Sequence, residues 1–145
     1  MSWNAYIETY FTKRQGIENM VSAAGIFSKQ GAKCAATGPE PTIPEVQLIG
    51  KCFDNEKEDP IFINGVKYYI IYKSLQPKIG RGEEKLYLKK EGGGAVIQCT
   101  QTLVIYACWD SKIKGKYGGQ QRNQNHPDTA RLVEDCANIL NKSGM

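Results

Sequence analysis

An Asn-Gly pair between two apolar segments is the feature that most restricts how this chain can fold. Asn64-Gly65 separates Ile61–Ile63 from Val66–Lys73, a segment rich in Ile and Tyr. A two-residue type I′ turn needs positive φ at both central positions, which Asn and Gly adopt readily, so the pattern predicts an antiparallel hairpin. Alternation in the second strand predicts one face with Val66, Tyr68, Ile70 and Tyr72 and another with Lys67, Tyr69, Ile71 and Lys73.

Turn signals elsewhere predict that this hairpin belongs to a longer antiparallel meander. Gln30-Gly31 and Gly92–Gly94 each separate two short apolar segments. The segment 111–125 is polar and rich in Gly and Gln, which favours a loop. The remaining strands are predicted at Val21–Phe27, Ala32–Ala36, Lys85–Lys90, Ala95–Cys99 and Thr102–Trp109.

The beginning of the chain has the pattern of an amphipathic helix over residues 3–14. Ser2 stands at its N-cap position, where a hydroxyl accepts a hydrogen bond from a free backbone N–H. Trp3, Tyr6 and Tyr10 follow at i, i+3 and i+7, which places them in one stripe. Such a stripe either packs into a core or binds a ligand, and both interpretations stay open at this point.

Two more helices complete the predicted order of elements. Pro44 is expected to begin a short helix that ends near Gly50, and Pro127–Lys142 is expected to form the last helix. The order is helix, strands, short helix, hairpin-linked strands and helix, which argues against βαβ units. We predict a single α+β domain over residues 1–145 with a central antiparallel sheet.

Composition restricts the classes of function. The 145 residues are 41% hydrophobic, which suits one domain with a core. A net charge of +4 falls short of a nucleic-acid-binding composition, so no nucleic-acid partner is expected. The start of the chain lacks the pattern of a signal peptide, and its five cysteines contain no C-x-x-C pair. We therefore expect free thiols, no metal site and a cytoplasmic location.

The sequence contains no recognisable catalytic motif. His126, the one histidine, stands before Pro127 without a matched nucleophile or carboxylate, so we predict a surface or capping role. Gly80-Arg81-Gly82 and Gly92–Gly94 complete neither common phosphate-binding pattern and are predicted to be turns. We predict that the protein is not an enzyme and needs no cofactor.

A basic run near the end of the chain is a candidate binding surface. It has no acidic residue from position 111 to 127 and contains Lys112, Lys114, Lys116 and Arg122. The run has two interpretations: a solvated loop, or a patch that meets anionic lipid head groups.

Collinear segments along the chain resemble the profilin family over essentially its whole length. The segments that carry the resemblance are Ser2–Ile7, Val21–Ile26, Phe62–Tyr68, Leu103–Asp110 and Leu132–Met145. They are similar, in order, to the family's N-terminal helix, first strand, central hairpin, a later strand and the C-terminal helix with its tail.

The resemblance implies both a fold and partners. The implied fold has an antiparallel sheet with the N- and C-terminal helices together on one face and short helices on the other. The implied activity is binding of monomeric actin, with regulation of actin polymerisation, by a cytoplasmic, cytoskeletal monomer that also binds proline-rich proteins and phosphoinositides. The alternative is a PAS-like sensor or scaffold domain, which would enclose a ligand cavity.

The resemblance also implies a proline-rich-ligand site between the two terminal helices. Trp3 and Tyr6 match the aromatic floor of that site. Cys34 and Ile139 stand where the family usually has Trp and commonly has Tyr. Because a stiff polyproline II segment docks on flat rings, two missing rings predict weaker binding.

An actin-binding surface is implied as well, and two segments depart from the family near it. Gln76–Glu84 lengthens a hairpin, and Gln120–Pro127 lengthens the connection into the last helix. The positions that match the family's actin surface are Lys67, Tyr69, Lys89, Lys90, Gly118, Gly119, Arg122 and Glu134.

Overall fold

The structure is a computed structural model that describes residues 2–54, 60–74 and 84–145. Its helices in these ranges are α1 (Trp3–Ile7, continued by a π-helical segment, Glu8–Thr12), α2 (Ile43–Asp54) and α3 (His126–Lys142). Its strands are β1 (Ile17–Glu18), β2 (Ala23–Ser28), β3 (Lys33–Thr37), β4 (Ile61–Ile63), β5 (Val66–Ser74), β6 (Lys85–Lys90), β7 (Gly93–Cys99), β8 (Leu103–Asp110), β9 (Lys114–Tyr117) and β10 (Gln120–Asn123).

Seven strands form one sheet in the order β3-β2-β8-β7-β6-β5-β4, and its recorded pairings are antiparallel. The central strand β7 is buried along its whole length. Its side chains alternate between the two faces, so Val96 packs on one core and Ile97 on the other. The predicted antiparallel sheet is confirmed.

The two faces of the sheet are covered by different helices. On one face α1 and α3 bury the core formed by residues such as Phe11, Ile26, Ile105, Leu132 and Leu140. On the other face α2 buries the core formed by residues such as Val46, Ile49, Leu86, Ile97 and Tyr106. The predicted α+β class, with the terminal helices on one face and the short helix on the other, is confirmed.

The Asn64-Gly65 hairpin forms as predicted, with φ of 51° at Asn64 and 76° at Gly65. Helix α2, however, is longer than predicted, because it continues past Gly50 to Asp54. Its buried stripe explains the extension: Cys52 follows Ile49 at helical spacing and is buried in the same core.

Strand β5 departs from simple alternation. The pairing with β6 shifts register between Ile70 and Tyr72, and a bulge of this kind turns the following side chains to the other face. Tyr72 therefore lies opposite Tyr87, with ring centroids 5.0 Å apart. The predicted shared face of Tyr68 and Tyr72 is wrong beyond the bulge.

The segment predicted as a loop, 111–125, instead contains the antiparallel hairpin β9–β10, which pairs with β1 in a second sheet. Gly115 is buried between strands, and a Cβ there would collide with the carbonyl oxygens of Glu18 and Asn19. The sequence of β9 does not look like a strand, because its inward-facing positions are Gly115 and the half-buried Tyr117 rather than large aliphatic residues.

The N-terminal helix begins as predicted, since the Ser2 Oγ accepts a hydrogen bond from the Ala5 N–H at 3.2 Å. Among the described residues, no helix meets the length and hydropathy needed to cross a membrane. The turn predicted at Gly80–Gly82 and most of the hairpin extension predicted at Gln76–Glu84 lie outside the described residues.

Candidate functional site

An aromatic row runs along the N-terminal helix and consists of Trp3, Tyr6 and Tyr10. The ring centroids of Trp3 and Tyr6 are 5.8 Å apart, and those of Tyr6 and Tyr10 are 6.4 Å apart with planes inclined by 16°. All three side chains are half-buried against the core beneath α1 and α3. The row therefore both packs and presents aromatic surface to solvent.

Cys34 and Ile139 border the same core, Cys34 from β3 and Ile139 from α3. Strand β3 contacts α1, and both side chains are half-buried. Burial raises the pKa of the Cys34 thiol, so the group is neutral near pH 7. The four residues predicted for the proline-rich site thus lie around one core. The structure adds Tyr10, whose signal in the sequence was its i+7 spacing from Trp3.

A second surface lies on β5 and β6, on the sheet face that carries α3. Tyr69 is 60% exposed and pairs across the strands with Lys89. The Lys67 Nζ lies 5.1 Å from the centroid of the Tyr69 ring, a cation–π contact. We call Lys67, Tyr69 and Lys89 the β5–β6 face, and the structure brings these three predicted residues together.

Lys90 lies on the opposite face of the sheet from its neighbour Lys89, because successive side chains of a strand alternate. Its Nζ lies 5.8 Å from the centroid of the buried Tyr68 ring. Burial raises the pKa of the nearby Cys108 thiol to about 11, although a hydrogen bond with Tyr68 and the Lys90 charge oppose the rise. The structure does not bring Lys90 to the β5–β6 face.

An aromatic cluster that the sequence did not predict joins β5 and β6 to the start of α3. His126 packs its ring edge-on against Tyr87, with centroids 4.5 Å apart, and Tyr87 stacks on Tyr72. Asn125, not His126, caps α3, since its side chain accepts from the Asp128 N–H. Burial lowers the pKa of His126. The capping role predicted for His126 is therefore wrong.

The β9–β10 hairpin turns at Gly118 and Gly119, which have φ of 62° and 82°. A Cβ at either position would meet no atom within 4 Å, so the turn is open to solvent. Arg122 is held beside this turn. Its guanidinium carbon lies 4.8 Å from the Tyr117 ring centroid, and its Nε lies 3.4 Å from an Asp128 carboxylate oxygen.

The basic run is divided between the two faces of this hairpin. Lys114 and Lys116 pair with Asn123 and Gln121 on one face, whereas Arg122 pairs with Gly115 on the other. Lys112 is exposed in the turn before β9. The structure therefore separates Arg122 from the three lysines with which the sequence grouped it.

Glu134, the last of the predicted actin residues, is exposed on α3. One of its carboxylate oxygens lies 3.7 Å from the Lys85 Nζ of β6. Two turns of helix separate Glu134 from His126, a rise of about 12 Å. Among the described residues, no group of three or more His, Cys, Asp and Glu side chains is placed to hold a metal ion.

The chain belongs to the profilin family, because the sequence model of the Profilin family matches residues 1–145. Profilin-3 of Dictyostelium discoideum is 28% identical over 118 residues, which cover 79% of this chain and 84% of that protein. This membership favours the profilin prediction over the PAS-like alternative.

Solved structures share the fold at low sequence identity. Acanthamoeba castellanii profilin IB superposes with a TM-score of 0.76 at 20% identity, covering 99% of this chain and all of that one. LokiProfilin2, solved in a complex with rabbit actin, superposes with a TM-score of 0.59 at 13% identity, covering 96% of this chain and 95% of that one.

Proposed function

We propose that this protein binds monomeric actin and regulates actin polymerisation. The observation that carries the proposal is membership of the profilin family over the whole chain. The complex of LokiProfilin2 with rabbit actin supports the proposal, since that protein has the same fold. The protein would act as a cytoplasmic, cytoskeletal monomer of one domain, without catalytic activity or a cofactor.

The β5–β6 face is our candidate for the centre of the actin contact. It combines the exposed Tyr69 ring with the amino groups of Lys67 and Lys89 on one side of the sheet. Exposed aromatic residues often supply the binding energy of protein interfaces, and charges at the rim raise the association rate. The Gly118-Gly119 turn and Glu134 would extend the contact, whereas Lys90 would contribute little because it lies on the other face.

Polymerisation of pure actin tests this function. Purified protein is added in increasing amounts to actin monomers, and the amount of filament is measured by sedimentation. Binding to monomers predicts that filament falls as the protein increases. Unchanged filament at a large excess of the protein would overturn the proposal.

We propose, second, that a proline-rich segment binds at the aromatic row. Trp3 and Tyr6 present aromatic faces, and a polyproline II segment loses little entropy when it docks on them. Cys34 and Ile139 supply apolar surface but no ring, so affinity is expected to be lower than with a full aromatic floor. Titration of a proline decamer followed by Trp fluorescence tests this, and no binding would refute it.

We propose, third, that Lys112, Lys114 and Lys116 attach weakly to phosphoinositide head groups. The three side chains are exposed. Each amino group near an anionic surface contributes about 1 kcal/mol. Co-sedimentation with vesicles with and without a phosphoinositide tests the site, and equal recovery on neutral vesicles would exclude it.

A further inference from the structure

We propose that Tyr10 is a third docking ring of the proline-rich site, and that the ligand runs along the N-terminal helix from Trp3 to Tyr10. The inference rests on the proposed proline-rich binding and adds to it a further contact residue, Tyr10, and the direction in which the bound peptide runs. The occupant would be an uncharged segment in the polyproline II conformation.

The backbone around Tyr10 supports this role. Tyr10 lies in the π-helical segment Glu8–Thr12, where the Lys13 N–H donates to the Glu8 carbonyl at 2.7 Å. A turn closed by i→i+5 bonds contains more residues than an α-helical turn, so it brings side chains four apart closer to one line. In this segment Tyr10 stacks nearly parallel to Tyr6, with ring planes inclined by 16°. Single π-helical turns are frequent at functional sites.

The spacing of the rings fits the proposed ligand. The two steps of the aromatic row are 5.8 Å and 6.4 Å between ring centroids. A polyproline II helix rises about 3.1 Å per residue, so each step corresponds to about two residues. Three rings therefore match a segment of about five residues, whereas Trp3 and Tyr6 alone match about three.

The charges beyond Tyr10 indicate an uncharged ligand. The Arg14 guanidinium lies 2.9 Å from the Asp135 carboxylate. Burial raises the pKa of Tyr10, and these two charges act on it in opposite directions, Arg14 lowering it and Asp135 raising it. Because the two charges neutralise each other, neither sign of ligand is favoured at this end of the row. We expect the affinity for proline peptides to depend little on salt, unlike binding to lipid or actin.

Matched substitutions test the inference on the whole protein with a proline decamer. Tyr10→Leu keeps an apolar side chain against the core but removes the flat ring, and Tyr10→Phe keeps the ring. Phe62→Leu removes a 40% exposed ring from β4, at the opposite edge of the sheet from β3. We expect about tenfold weaker binding for Tyr10→Leu and affinity within about twofold of the original for the other two variants.

A series of proline peptides gives a measurement that does not depend on any variant. Affinity of the unaltered protein should rise between three and about six prolines and then level off, and Tyr10→Leu should lose that rise. Binding of the decamer with equal affinity to Tyr10→Leu and the unaltered protein would overturn the role of Tyr10 alone. Failure of the unaltered protein to bind the decamer would overturn the proline-rich site as a whole.

Discussion

The Glu45 carboxylate of α2 accepts a hydrogen bond from the Gly65 N–H at 2.9 Å, twenty residues along the chain. The same carboxylate accepts from the N–H groups of Asn64 and Thr42, both at 2.8 Å. One side chain therefore caps its own helix and holds the turn of the β4–β5 hairpin. Since β5 carries Lys67 and Tyr69, this contact anchors the strand on which the proposed actin site depends.

Replacing Glu45 by Ala is expected to destabilise the protein by about 1 kcal/mol at pH 7, since a cap and two turn contacts are lost. Burial raises the pKa of Glu45, but hydrogen bonds from the Thr42, Gly65 and Asn64 main chain outweigh it and leave the pKa lowered. A carboxyl group whose pKa is lower in the folded state stabilises that state at pH values above its unfolded-state pKa. This stabilisation is lost as the pH falls through the folded-state pKa. Urea unfolding should show that the difference in free energy of unfolding between the original protein and the variant shrinks below about pH 4. A difference that is independent of pH would contradict this account.

His126 is expected to titrate below its ordinary pKa, because its ring is partly buried against Tyr87. The unfolded state then binds more protons than the folded state between the two pKa values. The contribution of His126 to the free energy of unfolding should be fully present above about pH 6.5 and should fall as the pH drops toward the folded-state pKa. An NMR titration of the His126 ring measures this directly, with the variant His126→Gln as the control for the stability curve. A His126 pKa at or above 6.5 would show that its contact with Tyr87 does not desolvate the ring.

Lipid attachment should distinguish the two faces of the β9–β10 hairpin. Lys114→Glu with Lys116→Glu is expected to abolish co-sedimentation with phosphoinositide vesicles, because two attractive charges become repulsive. Arg122→Gln should change recovery little, since the Arg122 side chain is already engaged by Tyr117 and Asp128. A larger loss for Arg122→Gln than for the double variant would refute the assignment of the three lysines.

Cys34→Trp is expected to strengthen binding of a proline decamer, because it adds a flat ring beside the aromatic row. One anchoring aromatic residue contributes about 2 kcal/mol, so the gain is up to about thirtyfold. Fluorescence titration against the unaltered protein measures it, with thermal unfolding as a control for folding. Equal affinity of the two proteins would show that β3 does not contribute to the site.

Much of the fold was predictable because local signals agreed with burial. The Asn64-Gly65 turn and the Ser2 cap are set by chemistry of neighbouring residues, and both formed as predicted. The resemblance placed Lys89 and Lys90 in one actin surface. Strand alternation, which puts neighbouring side chains on opposite faces, separates them.

The rest depended on tertiary contacts that no local pattern encodes. The bulge in β5 reversed the orientation of Tyr72 and created the cluster with Tyr87 and His126. Strand β9 has Gly115 and the half-buried Tyr117 at its inner positions, and β10 is exposed along its whole length. Neither strand therefore has the apolar alternation that marks a strand in a sequence.

The affinity of actin monomers for two neighbouring lysine variants tests the central proposal most directly. Lys89→Gln and Lys90→Gln remove the same charge from adjacent positions on opposite faces of the sheet. Fluorescence anisotropy of labelled actin monomers should show about fivefold weaker binding and a flatter salt dependence for Lys89→Gln, and near-unchanged binding for Lys90→Gln. Equal effects of the two substitutions, or no binding by the unaltered protein, would contradict an actin site on the β5–β6 face.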